Sequence, residues 1–213
     1  MTEHRRPASS VRRAFARDDW NARYAGSELL WTAEPNRRFA REVEGLEPGR
    51  ALDLACGEGR NAVWLAERGW RTTGVDFSDV ALGKAERLAA SRGVEVDWVM
   101  ADVLEYEPGR RAFDLVGMLY LQLPHDELAE VLRSAVLALA SEGTLVVLGH
   151  DTTNLAEGHG GPRDPSVLFT PEDVVAHLEG VDVERAEKVF RQVVLEEGEA
   201  TAIDALVRAR RPG

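Results

Sequence analysis

The sequence contains one cysteine, Cys56, and lacks any apolar run long enough to cross a membrane. One cysteine cannot form an intramolecular disulfide, so nothing points to an oxidising compartment. A membrane-spanning helix needs about 20 apolar residues, and the charged start Met-Thr-Glu-His-Arg-Arg-Pro is not followed by the apolar segment of a signal peptide. We therefore expect a cytoplasmic protein without a membrane partner.

The chain has fewer basic than acidic residues, with 26 Lys and Arg residues against 37 Asp and Glu residues and a net charge of -11. An acidic protein repels phosphate backbones, so we expect no nucleic-acid partner and a cationic or neutral small molecule as substrate. The arginines of residues 1–17 are typical of a mobile, solvated arm. The remainder, residues 18–213, is long enough for one core and predicts a single domain. The oligomeric state is not predicted.

Short apolar runs alternate with amphipathic stretches through the middle of the chain, which predicts βαβ units. Helices are expected between the strands, at 61–68, 80–92 and 127–139. The fold class is therefore α/β, with a doubly wound, mostly parallel sheet covered on both faces. Two further β-rich segments, 183–194 and 200–208, predict an antiparallel hairpin that completes seven strands. The other five expected strands are 50–55, 71–75, 95–100, 113–119 and 144–148.

Two segments outside this core are expected to cover a pocket. Aromatic and apolar residues recur at helical spacing over residues 18–45, with a fresh helix start at Pro35. The glycine-rich stretch 150–168 is too long for a simple connector and is typical of a lid or binding loop. We predict that both segments act as lids.

The first predicted strand ends in Asp53-Leu-Ala-Cys-Gly57-Glu-Gly59, a strand followed by a glycine turn. In open α/β sheets ligands bind outside such strand ends. Gly57 and Gly59 allow a positive φ and a close approach of the backbone to a bound molecule. Together with Ala62 these glycines also satisfy the dinucleotide fingerprint, so they leave the cofactor class open.

Asp53 favours a methionine-derived cofactor over a dinucleotide. A dinucleotide would bring pyrophosphate to this turn, and a carboxylate would repel it. A methionine-derived cofactor brings a cationic α-amino group, which a carboxylate accepts through a charge-assisted hydrogen bond. The alternative is an aspartate engaged in local hydrogen bonds.

Two more acids follow the next two strands. Asp76 is placed to accept both ribose hydroxyls, with Phe77 beside it to pack on adenine, although Asp76 could also cap the next helix. Asp102 and Val103 are placed to contact adenine, although a turn aspartate is common there. Three acids after three successive strands indicate a site more strongly than any one of them.

These motifs resemble those of class I (Rossmann-like) S-adenosylmethionine-dependent methyltransferases. Trp20-Asn-Ala-Arg-Tyr24 and Gly59-Arg-Asn61-Ala-Val-Trp are further similar to the small-molecule group that includes tellurite-resistance and thiopurine methyltransferases. The resemblance implies S-adenosylmethionine as cofactor and methyl transfer to S, O or N of a small molecule. The motifs are Leu52-Asp-Leu-Ala-Cys-Gly-Glu-Gly59, Gly74-Val-Asp76-Phe-Ser, Ala101-Asp102-Val and Phe113-Asp114-Leu-Val.

The resemblance also implies a cofactor site. Leu119 would lie beneath the cofactor, and Tyr24 and Trp31 would lie over its methionine end, where an aromatic face attracts a sulfonium. Aromatics at helical spacing also fit a core. The full expected set is Tyr24, Trp31, Asp53, Gly57, Gly59, Asn61, Asp76, Phe77, Asp102, Val103 and Leu119.

The acceptor side is less defined. After the fourth strand the sequence reads Met118-Leu-Tyr-Leu-Gln-Leu-Pro124, without the Asn/Asp-Pro-Pro-Tyr tetrad of amino-group methylation. We expect Tyr120, Gln122 and His125 to rim the pocket as substrate-binding residues. His150 is a possible general base, with a structural role as the alternative.

A metal site is not predicted, because His150, Asp151 and His159 lack recognised ligand spacing. Two rival functions remain. An NAD(P)-dependent oxidoreductase shares the glycine pattern and Asp76, and a non-catalytic protein could bind S-adenosylmethionine as a sensor.

Overall fold

The structure, a computed structural model, describes residues 16–26, 28–195 and 198–213. Most of the expected N-terminal arm lies outside these residues, and its last position already begins a helix. The helices are α1 (Arg17–Tyr24), α2 (Arg37–Val43), α3 (Arg60–Ala66), α4 (Asp79–Arg92), α5 (His125–Ala138), α6 (Asn154–Glu157) and α7 (Pro171–Val175). The strands are β1 (Arg50–Leu54), β2 (Arg71–Asp76), β3 (Asp97–Met100), β4 (Phe113–Leu119), β5 (Leu139–His150), β6 (Asp182–Leu195) and β7 (Gly198–Arg210).

The strands form one seven-stranded sheet in the order β3-β2-β1-β4-β5-β7-β6. Strands β1 to β5 pair in parallel, whereas β7 is antiparallel to both β5 and β6. The predicted fold class, including the C-terminal hairpin, is confirmed. The strand order reverses between β1 and β4, which opens a crevice at their carboxyl ends.

Helices cover both faces of the sheet because successive strand residues point to opposite sides. On one side Leu52 and Val116 pack with Leu132 of α5. On the other side Leu115 packs with Phe39 of α2 and Leu65 of α3. The central strands are therefore apolar on both faces, as the continuous apolar runs of the sequence indicated.

Strand β5 is longer than the predicted 144–148. Its start pairs Leu139 with Phe113, and its end pairs His150 with Asp204 of β7. His150 therefore ends a strand instead of lying in a loop, because the antiparallel partner β7 continues the pairing.

The predicted lid loop 150–168 contains α6 and a 3-10 turn over Pro165–Val167. Thr170 caps α7, since its Oγ1 accepts a hydrogen bond from the Asp173 amide at 3.2 Å. Among the residues described, no helix has the length and apolarity required to span a bilayer.

Candidate active site

A cavity of about 1140 Å³ opens at the carboxyl ends of β1, β2 and β4. Pockets that hold one drug-sized ligand usually occupy roughly 300–1,000 Å³. A second cavity, of about 380 Å³, shares Phe77 and Asp102 with the first. The space is sufficient for a cofactor and an acceptor together.

The two glycines of the turn after β1 have different roles. Both have a positive φ, 54° for Gly57 and 76° for Gly59. A Cβ on Gly57 would lie 2.9 Å from the Tyr24 Oη, and Gly57 lines the large cavity. A Cβ on Gly59 would lie 2.5 Å from the Trp98 ring, and Gly59 does not line the cavity. Gly59 thus serves close packing, whereas Gly57 keeps the cavity floor open.

Asp53 lies immediately behind this turn with only 1% of its surface exposed, and it is not among the residues that line the cavity. Its Oδ2 accepts no hydrogen bond from the described residues. Burial, and then the charge of Asp76, raise the pKa of Asp53 to about 7. A buried acceptor without a donor is uncommon and costly, so this oxygen fits a donor brought by a ligand.

Asp76 holds the glycine turn against the start of α4. Its Oδ2 accepts from the Gly57 amide at 2.8 Å and its Oδ1 from the Ser78 amide at 2.9 Å. Ser78, rather than Asp76, caps α4 through its Oγ, which accepts from the Ala81 amide. Burial raises the pKa of Asp76, although these hydrogen bonds oppose the rise. A carboxylate offers about four acceptor positions, so ribose hydroxyls can still bind here.

The other residues expected around ribose and adenine also line the cavity, namely Phe77, Asp102, Val103 and Leu119. The Asp102 Oδ1 accepts from the Leu104 amide at 3.0 Å, which fixes the turn after β3. The strand-end acids Asp76 and Asp102 are thus brought to one cavity.

The segment 30–36, which precedes α2 and which we call the cover, is attached to the glycine turn by Glu58. The Glu58 carboxylate accepts from the amides of Leu30 and Trp31 at 2.9 and 3.2 Å and pairs with Lys84 Nζ at 3.0 Å. Both charged side chains are almost fully buried. Sequence reasoning missed Glu58, because its partners lie more than 25 positions away in the chain.

Trp31 lies in the cover, Asn61 binds the cover, and Tyr24 closes the same side of the cavity. The Asn61 Oδ1 accepts from the Asn36 amide at 2.9 Å, so its carbonyl group positions the chain before α2. Tyr24 is buried and stacks on Trp20 with ring centroids 5.5 Å apart. Burial and the nearby charge of Asp76 raise the pKa of Tyr24. Trp31 is 52% exposed, and all three predicted residues line the cavity.

Four side chains from separate segments meet at the other end of the cavity. Tyr120 Oη donates to the Asp204 Oδ2 at 2.8 Å, and Arg191 Nε donates to the same oxygen at 3.0 Å. His150 Nδ1 lies 3.2 Å from the Asp204 Oδ1, outside the direction of a hydrogen bond. All four line the cavity, and we call them the Asp204 cluster.

The side chains of the Asp204 cluster shift one another's pKa values. Burial opposes ionisation of Asp204, but His150 and Arg191 outweigh it and hold its pKa below the usual value. Burial and the Asp204 charge raise the pKa of Tyr120 to about 12, so Tyr120 stays a hydrogen-bond donor. Tyr120 has a φ of 56°, an uncommon backbone for a bulky residue that orients its ring after β4.

Gln122 lines the cavity as expected, whereas His125 does not. His125 begins α5, is exposed, and its Nε2 lies 2.8 Å from the Leu168 carbonyl oxygen. Its ring therefore holds the end of the 150–168 segment instead of rimming the pocket. The expectation that His125 rims the pocket is therefore not met in this structure, because the sequence does not show which way the side chain points.

Residues 51–143 match a protein family described as a methyltransferase domain. The matched segment is a methyltransferase domain. The family predicted from the motifs is thereby confirmed, while the link to tellurite-resistance and thiopurine enzymes stays a prediction.

The chain is similar to a demethylmenaquinone methyltransferase of Thermus thermophilus, with 35% identity over 125 residues, 58% of this chain and 55% of that protein. It spans about half the length of the curated relatives that it matches.

Solved structures show the same fold at lower identity. One, from work on the conversion of a disulfide bond into a thioacetal group during echinomycin biosynthesis, has a TM-score of 0.71 and 24% identity, covering 92% of both chains. The N-methyltransferase NodS of Bradyrhizobium japonicum, in complex with S-adenosyl-L-homocysteine, has a TM-score of 0.68 and 20% identity. That likeness covers 92% of this chain and 98% of NodS.

The methyltransferase-domain match contains the turn after β1 and both acids at the next strand ends. The match ends before His150, Arg191 and Asp204, and it begins after α1 and α2. The match therefore covers the glycine turn and the strand-end acids at one end of the cavity, whereas at the other end it covers only Tyr120 of the Asp204 cluster.

Proposed function

We propose that this chain transfers the methyl group of S-adenosylmethionine to sulfur, oxygen or nitrogen of a small molecule. One observation carries the proposal: the buried, unpartnered Oδ2 of Asp53 lies behind an open glycine turn, in a methyltransferase domain. A cationic amino group entering over this turn would supply the missing donor. A pyrophosphate would instead meet a buried carboxyl group.

The residues of the cavity fit this cofactor. Asp53 and the open backbone at Gly57 would hold its amino-acid end, Asp76 the ribose hydroxyls, and Asp102 with Val103 the adenine. When bound, S-adenosylmethionine supplies an electrophilic methyl group on a sulfonium that leaves as a neutral thioether. NodS, which has the same fold, was solved with S-adenosyl-L-homocysteine.

The chain contributes alignment and exclusion of water, effects that can lower a barrier by about 7 to 11 kcal/mol. The segment before α2 is held over the cavity by Glu58 and by Asn61. Tyr24 closes the same side, because its hydroxyl lies against Gly57. These contacts keep the reacting atoms in a dry, ordered space.

His150 acts as a general base in this proposal. It lines the cavity, and the buried Asp204 carboxylate lies 3.2 Å from its Nδ1. The proton of an acceptor hydroxyl or thiol passes to Nε2 of His150 as the acceptor bond to the methyl forms. An acceptor that is already ionised would not require this step. The acceptor atom, the small-molecule acceptor and a cytoplasmic location are parts of the proposal.

Turnover tests the proposal directly. The protein is incubated with S-adenosylmethionine and a panel of thiols, phenols and amines, and S-adenosyl-L-homocysteine release is measured by mass spectrometry. We expect release with one acceptor class and its loss in Asp76→Ala, while Asp97→Asn, an exposed acid at the start of β3, keeps it. Binding of S-adenosylmethionine without any turnover would indicate the non-catalytic alternative. Binding of NAD(P)H instead would overturn the proposal in favour of an oxidoreductase.

A further inference from the structure

Helix α2 presents three arginines, Arg37, Arg38 and Arg41, to the large cavity. None of them forms an ion pair with the described residues. We call them the α2 arginines. In a chain with a net charge of -11, a group of unpaired cations at one cavity is unexpected.

Three of the carboxylates that line the cavity pair with other cations and not with the α2 arginines. Glu34, which also lines the cavity, accepts from Arg92 at 3.0 Å. Glu58 pairs with Lys84, and Asp204 pairs with Arg191. Elsewhere some arginines have carboxylate partners, namely Arg17, Arg50, Arg92, Arg185, Arg208 and Arg210. Exposed arginines without an ion pair to the described residues also occur, but the α2 arginines differ from them because all three line one cavity.

Apolar side chains line the same cavity and are left in solvent. Phe190 and Val194 on β6 are 66% and 83% exposed, and Trp31 is 52% exposed. Exposed apolar side chains that share one concave surface mark ligand sites more often than isolated ones do. The cavity therefore combines unpaired positive charge with exposed apolar side chains.

We propose that the methyl acceptor is an amphipathic oxyanion, with an apolar ring-sized body and a carboxylate or sulfonate group. Its charged group binds the α2 arginines, and its apolar body packs on Phe190, Val194 and Trp31. Guanidinium groups pair with oxyanions through two parallel hydrogen bonds, which gives both affinity and orientation. The inference rests on the proposed function, because that function defines this end of the cavity as the acceptor end.

The inference reverses the expectation of a cationic or neutral substrate drawn from net charge. Net charge governs the approach of large charged partners over distances beyond about 8–10 Å. A small molecule inside a cavity responds to the charges that line it. The carboxylate of the cofactor is the competing occupant of the α2 arginines, and the experiment separates the two.

Two fluorescent probes with the same ring body form the test: 8-anilinonaphthalene-1-sulfonate, which is anionic, and N-phenyl-1-naphthylamine, which lacks the sulfonate. Each is titrated in the presence of saturating S-adenosyl-L-homocysteine. We expect the triple variant R37Q/R38Q/R41Q to weaken binding of the sulfonate at least tenfold and of the amine less than twofold. Phe190→Ser should weaken binding of both probes, which places them in this cavity.

Two variants serve as controls. R71Q/R110Q/R133Q makes the same change in net charge at exposed arginines away from the cavity and should leave both affinities unchanged. R37K/R38K/R41K keeps the charge but not the fork geometry and should weaken binding of the sulfonate only in part. Unfolding curves for all variants check that the fold is intact.

Calorimetry with S-adenosyl-L-homocysteine separates the outcomes. If wild type does not bind S-adenosyl-L-homocysteine, the proposed function fails, and the probes titrated alone still judge the anion site. If R37Q/R38Q/R41Q loses S-adenosyl-L-homocysteine affinity tenfold, the α2 arginines serve the cofactor and this inference is overturned. Equal loss of both probes, or no loss of the sulfonate, overturns it as well.

Discussion

The two ends of the cavity are assembled in different ways. At the end proposed to hold the cofactor, which we call the cofactor end, Asp76 binds the amide of Gly57, only 19 positions away. The three acids there lie at or just after the ends of strands that are consecutive in the chain. At the acceptor end, Tyr120 and Asp204 are 84 positions apart, and His150 and Arg191 come from two further segments. The glycine turn of the first end is fixed by local contacts, although the segment over it is attached by long-range contacts of Glu58 and Asn61. The second end exists only once the C-terminal hairpin has joined the sheet.

The difference separates what is general in this fold from what is particular to this chain. A turn that is built locally can be kept while the rest of the protein changes. The acceptor end combines α2, the end of β5 at His150 and the hairpin, which lie outside the methyltransferase-domain match, with Tyr120, which lies inside it. Variants that damage one end and spare the other are the way to test whether the two ends are independent.

Replacing His150 with Gln should give the largest effect. We expect kcat to fall by about 10²–10⁴, because general-base catalysis contributes on that order. The affinity for S-adenosyl-L-homocysteine should change less than twofold, since His150 lies at the acceptor end. Steady-state kinetics with an acceptor from the turnover panel measure kcat, and calorimetry measures the affinity for S-adenosyl-L-homocysteine.

His159→Gln is the matched control, because His159 also lines the cavity but lies outside the Asp204 cluster. It should keep kcat within a fewfold of wild type. An equal loss of kcat in both variants would contradict the role of His150 as base.

Glu58→Ala should destabilise the fold and loosen the cover at the cofactor end. Removing one partner of a buried ion pair costs about 3–5 kcal/mol, because the other charge stays buried without a partner. The free energy of unfolding in urea measures this loss. Glu34→Ala is the control, since its pair with Arg92 is largely exposed and such pairs contribute about 0–1 kcal/mol. Similar losses in both variants would show that Glu58 is not a structural link.

Asp53 should make the ligand-free protein less stable as the pH rises. Its folded pKa of about 7 is above the ordinary 3.8, so the folded state binds this proton more tightly than the unfolded state. Stability from Asp53 is full below pH 3.8 and is lost as the pH approaches 7. Between pH 5 and pH 7 the loss is on the order of 2 kcal/mol, from about 1.4 kcal/mol per pH unit.

Asp53→Asn should remove this pH dependence, so the difference between the two unfolding curves is the quantity to measure. Parallel pH profiles for wild type and Asp53→Asn would mean that Asp53 ionises normally in the folded state. The smallest effect in the series is thus also the one that tests the electrostatics of the cofactor end alone.

The sequence was sufficient for the fold class and for several residues that line the large cavity, while their roles in cofactor binding stay predictions. Strand ends, glycine turns and the acids that follow them are local features, so Gly57, Asp76, Phe77 and Asp102 line the cavity as expected. Gly59 and Asp53 were expected beside them, but Gly59 packs on Trp98, and Asp53 is buried behind the turn. Periodicity and spacing do not show the depth of a side chain.

The acceptor end could not be predicted in the same way. His150 had no visible partner, because Asp204 approaches it only through the pairing of β5 with β7. The α2 arginines carry no local signal in the sequence, since their lack of carboxylate partners depends on the long-range pairs of Glu34, Glu58 and Asp204. Information of this kind resides in the tertiary arrangement.

The central claim is that Asp53 makes this turn a site for a cationic amino group. The most direct measurement is calorimetric titration of S-adenosyl-L-homocysteine into wild type, Asp53→Asn and Asp97→Asn at pH 8, where Asp53 is ionised. We predict that wild type and Asp97→Asn bind equally well and that Asp53→Asn binds at least tenfold more weakly. Equal affinity in all three proteins, or no binding to wild type, would contradict the claim.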